Sequence, residues 1–131
     1  MIHRNELTKL AKARLKDADI LAKGKRYDGA IYLCGYAVEL SLKARICKTL
    51  RWPQFPATRA EFQPYQSFKS HNLDVLLHLT GIEDKIKSRL LAEWSTVAEW
   101  DPEVRYKPIG SANISDATQM LSATATLLRN L

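Results

Sequence analysis

Glu39 and Lys43 are the residues of this chain best placed by type and spacing to do chemistry. They stand four apart inside a run, Arg26 to Cys47, that is otherwise apolar almost all the way round. Ala30, Ile31, Leu33, Cys34, Ala37, Val38, Leu40, Leu42, Ala44, Ile46 and Cys47 leave no polar face. A helix apolar on every side must be enclosed by other helices. Charges inside such a rod are costly unless paired. Glu ahead of Lys at i, i+4 is the favourable order for a pair. The segment therefore names both a core and a candidate site.

Other chemistry lacks its residues. A two-metal helical bundle wants Glu-x-x-His pairs, and none of His3, His71 and His78 has a Glu three residues before it. Cys and His are scattered singly, against a zinc site. No phosphate-binding glycine loop and no nucleophile elbow occurs. Neither a metal nor a cofactor is expected. Cys34 and Cys47 are thirteen residues apart on one proposed helix, roughly 20 Å at ~1.5 Å per residue, and cannot bridge. They read as small core residues. His71 reads as part of a helix start, and His78 as a half-buried histidine on a leucine-rich helix.

The elements that must position the pair follow from periodicity. Leu7, Leu10, Ala11, Ala18, Leu21 and Ala22 trace one stripe of a helix from Arg4 to Lys23, with Asn5 to cap it and Gly24 to end it. The apolar rod follows from Tyr27 to Leu50, and so short a turn packs the two antiparallel. Residues 51–70 hold Pro53, Pro56 and Pro64 among Trp52, Phe55, Phe62, Tyr65 and Phe68. Prolines forbid a continuous helix there. This aromatic loop reads either as a cover packing its rings on the bundle or as a lid or partner surface. Ser70 or Asn72 opens the next helix, with Leu73, Leu76, Leu77 and Leu79 facing inward and Gly81 closing it. Ile82, Ile86, Leu90, Trp94 and Val97 mark a further helix ending near Trp100, ahead of Pro102. Asn113 caps the last, with Asp116 three residues on. Its inner face is Ile114, Ala117, Met120, Leu121, Thr124, Leu127, Leu128 and Leu131. No strand alternation is visible. The expected fold is all-α, an up-and-down bundle of four long helices plus a short fifth, forming a single domain over 1–131.

The net charge is +6. Residues 1–51 hold twelve Lys/Arg against five Asp/Glu, whereas residues 52–131 hold eight against nine. The whole basic excess lies on the first two helices, either as a phosphate-facing surface or as a solvated face. No stretch approaches the ~18 apolar residues of a membrane span. The N-terminus has no apolar signal core, so a cytoplasmic protein with no membrane association is expected.

Taken in order, these features resemble one family. After the first amphipathic helix come Tyr27-Asp28-Gly29-Ala30 and Tyr36-Ala37-Val38-Glu39-Leu40-Ser41-Leu42-Lys43-Ala44. Ser70-His71-Asn72-Leu73-Asp74-Val75-Leu76-Leu77 opens the next helix, and Arg105-Tyr106 precedes the last. From roughly Leu7 to Leu127 the chain resembles a HEPN domain, the higher-eukaryote and prokaryote nucleotide-binding helical family. The resemblance implies a dimerising helical bundle. In many members it implies a metal-independent ribonuclease, with an Arg and, four to six residues on, a His from each subunit. Arg105 matches the Arg, but no histidine follows it before Leu131. Histidine is the side chain suited to proton transfer near neutral pH. The expectation is therefore a non-catalytic homodimer that binds nucleotide, RNA or a partner protein. The alternative is a ribonuclease toxin using an atypical site, paired with a nucleotidyltransferase antitoxin as the resemblance implies.

Two readings of the candidate residues stay open. In one, Glu39 and Lys43 form an internal ion pair, joined by Arg105, that fixes helix packing. In the other, Arg105, Tyr106 and Lys107 stand at the mouth of a dimer cleft and hold phosphate, with Glu39 orienting Arg105.

Overall fold

The computed structural model describes residues 1–131. Its frame is a pair of long helices, α1 (Arg4–Lys23) and α2 (Tyr27–Leu50), joined by a three-residue turn and packed along each other. The turn is sharp because Lys25 adopts a left-handed conformation, φ 61°, directly after Gly24. Gly24 itself stays at φ −85°. The cap of α1 is His3, whose Nδ1 accepts from the Asn5 amide at 3.1 Å, two positions earlier than the Asn5 cap expected from sequence. Arg51, left-handed at φ 57°, ends α2 two residues before Pro53.

The aromatic loop carries structure of its own. A two-residue strand β1 (Ile2–His3) pairs antiparallel with β2 (Gln54–Phe55), Ile2 opposite Phe55. Two residues are too few for the alternation by which strands are read from sequence. A short helix α3 (Arg59–Phe62) and a 3₁₀ turn (Gln63–Phe68) follow. The Trp52 ring lies 5.0 Å from both Tyr65 and Phe68, centroid to centroid, and Phe55 meets Phe62 at 6.0 Å. Phe55 and Phe62 are buried in the core. The rings pack on each other and on the bundle.

Beyond the loop come α4 (Leu73–Leu79), α5 (Glu83–Arg89), α6 (Leu91–Ala98), a 3₁₀ turn (Pro102–Tyr106) and α7 (Ile114–Asn130). Asn72 caps α4, and Asn113 with Asp116 forms a reciprocal capping box on α7. The fold is an all-α bundle with one two-residue strand pair. Its long helices number three rather than four, because the helix expected over 82–100 breaks at Leu90, φ −131°, ψ 38°. The break lets α6 lie along α7, while α5 meets α4 through side chains. There Lys87 comes 3.9 Å from Asp74, and His78 comes 3.5 Å from Glu83. His78 is exposed, not half-buried. Ile114, expected inward, faces solvent.

Candidate functional site

Four of the five candidate residues divide between two clefts, and Tyr106 lines neither. The first lies where the 3₁₀ turn and the segment after it cross the start of α2. Asp28, in the first turn of α2, accepts from the Gly110 amide at 2.6 Å and the Ala112 amide at 2.9 Å. These bonds tie the segment to the helix and hold the Asp28 carboxyl below its usual pKa. The result is a cleft of about 400 Å³ whose walls include Ile31, Tyr32, Val104, Arg105 and Lys107. That volume falls in the range of small-molecule sites. The Arg105 guanidinium sits 5.0 Å from the centroid of the Tyr106 ring, and the phenols of Tyr106 and Tyr32 raise its pKa above the ordinary value. Arg105 is therefore a fixed positive charge.

Trp100 backs Tyr32, one wall of this cleft. Its indole packs 6.1 Å from the Tyr32 ring. It also occupies the space a side chain at Gly35 would fill, since a Cβ there would stand 2.1 Å from the indole. Gly35 thus permits the close approach of Trp100 to α2.

The second cleft, about 250 Å³, lies two turns further along α2 and is lined by Tyr36, Glu39, Lys43, Arg59, Lys69 and His71 among others. Glu39 is 2% exposed, and both its oxygens are engaged. Oε2 accepts from Lys43 Nζ at 3.1 Å, and Oε1 lies 2.8 Å from His71 Nδ1. Lys43, 15% exposed, places its ammonium 5.6 Å from the Phe55 ring centroid. Asn72 holds His71 at the mouth: its carboxamide caps α4, and its own amide donates to Ser70 Oγ. An ionised Glu39 requires the proton of a neutral His71 on Nδ1, which leaves Nε2 as an acceptor. A ring held by a carboxylate is the arrangement a general base needs.

Glu39 is thus partnered by Lys43 and His71. The expected role for Glu39 in orienting Arg105, and the joining of Arg105 to the Glu39–Lys43 pair, are both corrected. Arg105 belongs to the other cleft, with no lining residue in common. His71, read from sequence as part of a helix start, is the contact that reading missed. Nothing local signals a pairing across 32 residues. The clefts nonetheless share a side of α2. Tyr32, Tyr36, Glu39 and Lys43 recur at i, i+4, i+7 and i+11, one helical face.

Comparison with known proteins bears on α1 and α2. Part of the chain is similar to the HEPN domain: that family's model matches residues 5–55. The HEPN match takes in α1, α2 and β2, including Glu39 and Lys43. His71, Arg105, Tyr106 and Lys107 lie outside it. No curated protein and no solved structure matches the chain. No helix is long and apolar enough to cross a membrane.

Proposed function

We propose that this HEPN-type bundle is a non-catalytic homodimer that binds RNA or a nucleotide along the face of α2 that the two clefts share. The supporting observation is the order of groups on that face. Arg105 and Lys107 stand at one end, Tyr32 and Tyr36 in the middle, and Lys43, Lys69, Arg59 and His71 at the other. Cations with interleaved aromatics suit a single strand, with phosphates held by charge and bases stacked on rings. Dimerisation is supported by the apolar groups beside the first cleft: Tyr106, Ile109 and Ile114 are all more than half exposed. A second copy would cover them.

The test is titration of a labelled single-stranded RNA, and separately of ATP, at several salt concentrations. Affinity for the RNA should fall by a log–log slope of about −0.7 for each phosphate held. Arg105→Ala should weaken binding and flatten the slope. No binding of either ligand at low salt would remove the proposal.

A second reading, a ribonuclease working at an atypical site, is favoured by His71 in its contact with Glu39. It places a group able to transfer a proton near neutral pH in a cleft with three cations. RNA left intact after prolonged incubation with pure protein, together with no growth arrest on expression, would end it. A nucleotidyltransferase partner is supported by family resemblance alone, and copurification from the native host decides it.

A further inference from the structure

The opposite side of α2 carries a third groove that neither reading uses. Two residues along a helix turn about 200°, so Ser41 points away from Glu39. Ser41, Arg45 and Lys48 recur at i, i+4 and i+7, and with Arg4 and Thr8 of α1 they line a groove of about 420 Å³. Leu128 and Leu131 of the α7 end close it. No acidic side chain lines it.

Three features single out this groove. Arg4, Arg45 and Lys48 take part in none of the ion pairs of the chain. Arg45 Nε is buried without a hydrogen-bond partner. That nitrogen is closed to a ligand, and an acceptor in the groove would meet the outer nitrogens of the Arg45 guanidinium, which no carboxylate pairs. Arg4 is the first residue of α1, at the positive end of the helix dipole. A cation there is disfavoured within its own helix, whereas an anion placed beside it gains from both the side chain and the dipole. Lys48, near the C-terminal end of α2, sits where the dipole favours a cation, so Lys48 alone would signal nothing.

We propose that this groove is an anion site that seats a phosphate group, with Arg45 as the central donor and Arg4 and Lys48 flanking it. The phosphate belongs either to a free nucleotide or to an RNA backbone. The site is independent of the α2 face proposed above for RNA.

Inorganic pyrophosphate, ATP and a short labelled RNA are titrated by calorimetry or anisotropy against the wild type, Arg45→Gln, Lys48→Ala and Arg105→Ala. Arg45→Gln is expected to weaken pyrophosphate binding roughly tenfold or more, the scale of one lost charge-assisted hydrogen bond. Lys48→Ala should weaken it less, and Arg105→Ala reports only on phosphate held at the α2 face. Lys48 is exposed, so Lys48→Ala remains interpretable if Arg45→Gln fails to fold. ATP binding lost with Arg45 assigns the phosphate to a nucleotide. RNA affinity and salt slope lost with Arg45 assign it to a backbone. Pyrophosphate binding that is absent from the wild type, or unchanged in both Arg45→Gln and Lys48→Ala, overturns the site. Loss of RNA binding in Arg105→Ala alone bears only on the α2 face.

Discussion

His71 Nδ1 lies 2.8 Å from Glu39 Oε1, a contact that joins the start of α4 to the middle of α2 across 32 residues of sequence. The carboxylate is buried, while the imidazole is 66% exposed. The two ends of one contact therefore do different work. Glu39→Ala would leave the Lys43 ammonium without its carboxylate, 15% exposed beside Phe55. A loss of roughly 3 kcal/mol in unfolding free energy is expected, near the lower end for a broken buried pair. His71→Ala should cost less than about 1 kcal/mol, because an exposed pair contributes little. Urea denaturation of both variants checks this. Equal losses would place His71 in the core pair rather than at the cleft.

The approach of Trp100 to Gly35 makes a second, sterically sharper case. A Cβ 2.1 Å from the indole cannot be accommodated without moving the ring. Gly35→Ala gains helix propensity yet should destabilise by about 1–3 kcal/mol, the usual range for overpacking. The displaced indole would also release Tyr32, which packs 6.1 Å away and lines the Arg105 cleft. Denaturation together with a red-shifted tryptophan emission is the expected result. A stabilised protein would show that the close approach is absent in solution.

These two contacts show where sequence reading stops. The bounds of α1 and α2 were legible because their apolar patterns run for 20 and 24 residues and end at turn-forming residues. The Asn113–Asp116 box was legible because a cap is a local interaction. The break at Leu90 was not. Ile86, Trp94 and Val97 would form one stripe on a straight helix as well, and the pattern says nothing of the packing of α6 on α7. The two clefts were not legible either. Spacing places Tyr32, Tyr36, Glu39 and Lys43 on one face but says nothing of which distant segment meets each of them. Arg105 and His71 come from loops whose return to α2 depends on tertiary contacts, Asp28 with Gly110 and Glu39 with His71.

Asp28 couples the first cleft to pH. Its carboxylate is held below the usual range, first by the Gly110 amide and then by the Ala112 amide. A group with a depressed folded pKa contributes stability above its unfolded value, near 3.8, and that contribution is lost as pH falls through the folded value. The segment from Lys107 to Asn113 should therefore loosen selectively below about pH 4. Asp28→Asn should loosen it at neutral pH. Hydrogen exchange at Gly110 and Ala112 reads both effects, with exchange expected to rise roughly tenfold for the loss of about 1.4 kcal/mol. Protection unchanged in Asp28→Asn would mean that the carboxylate does not hold the segment.

The two thiols offer the last check, on the core rather than on a cleft. Cys34 and Cys47 are both free and fully enclosed. Burial raises the Cys34 pKa to about 12 and the Cys47 pKa to about 11. The thiolate is the reactive form, so both are inert at neutral pH for two separate reasons, access and ionisation. A disulfide reagent such as DTNB should therefore modify the native protein only as fast as it unfolds, and should titrate two thiols at once in denaturant. The Arg4 charge slightly offsets the rise at Cys47. Raising the pH toward 9 should leave the native rate almost unchanged, whereas an exposed thiol would react about tenfold faster per pH unit below its pKa near 8.5. Rapid modification of one thiol in the native state would show that α2 is open to solvent on that side, and would contradict its enclosure by α1, α4 and α7.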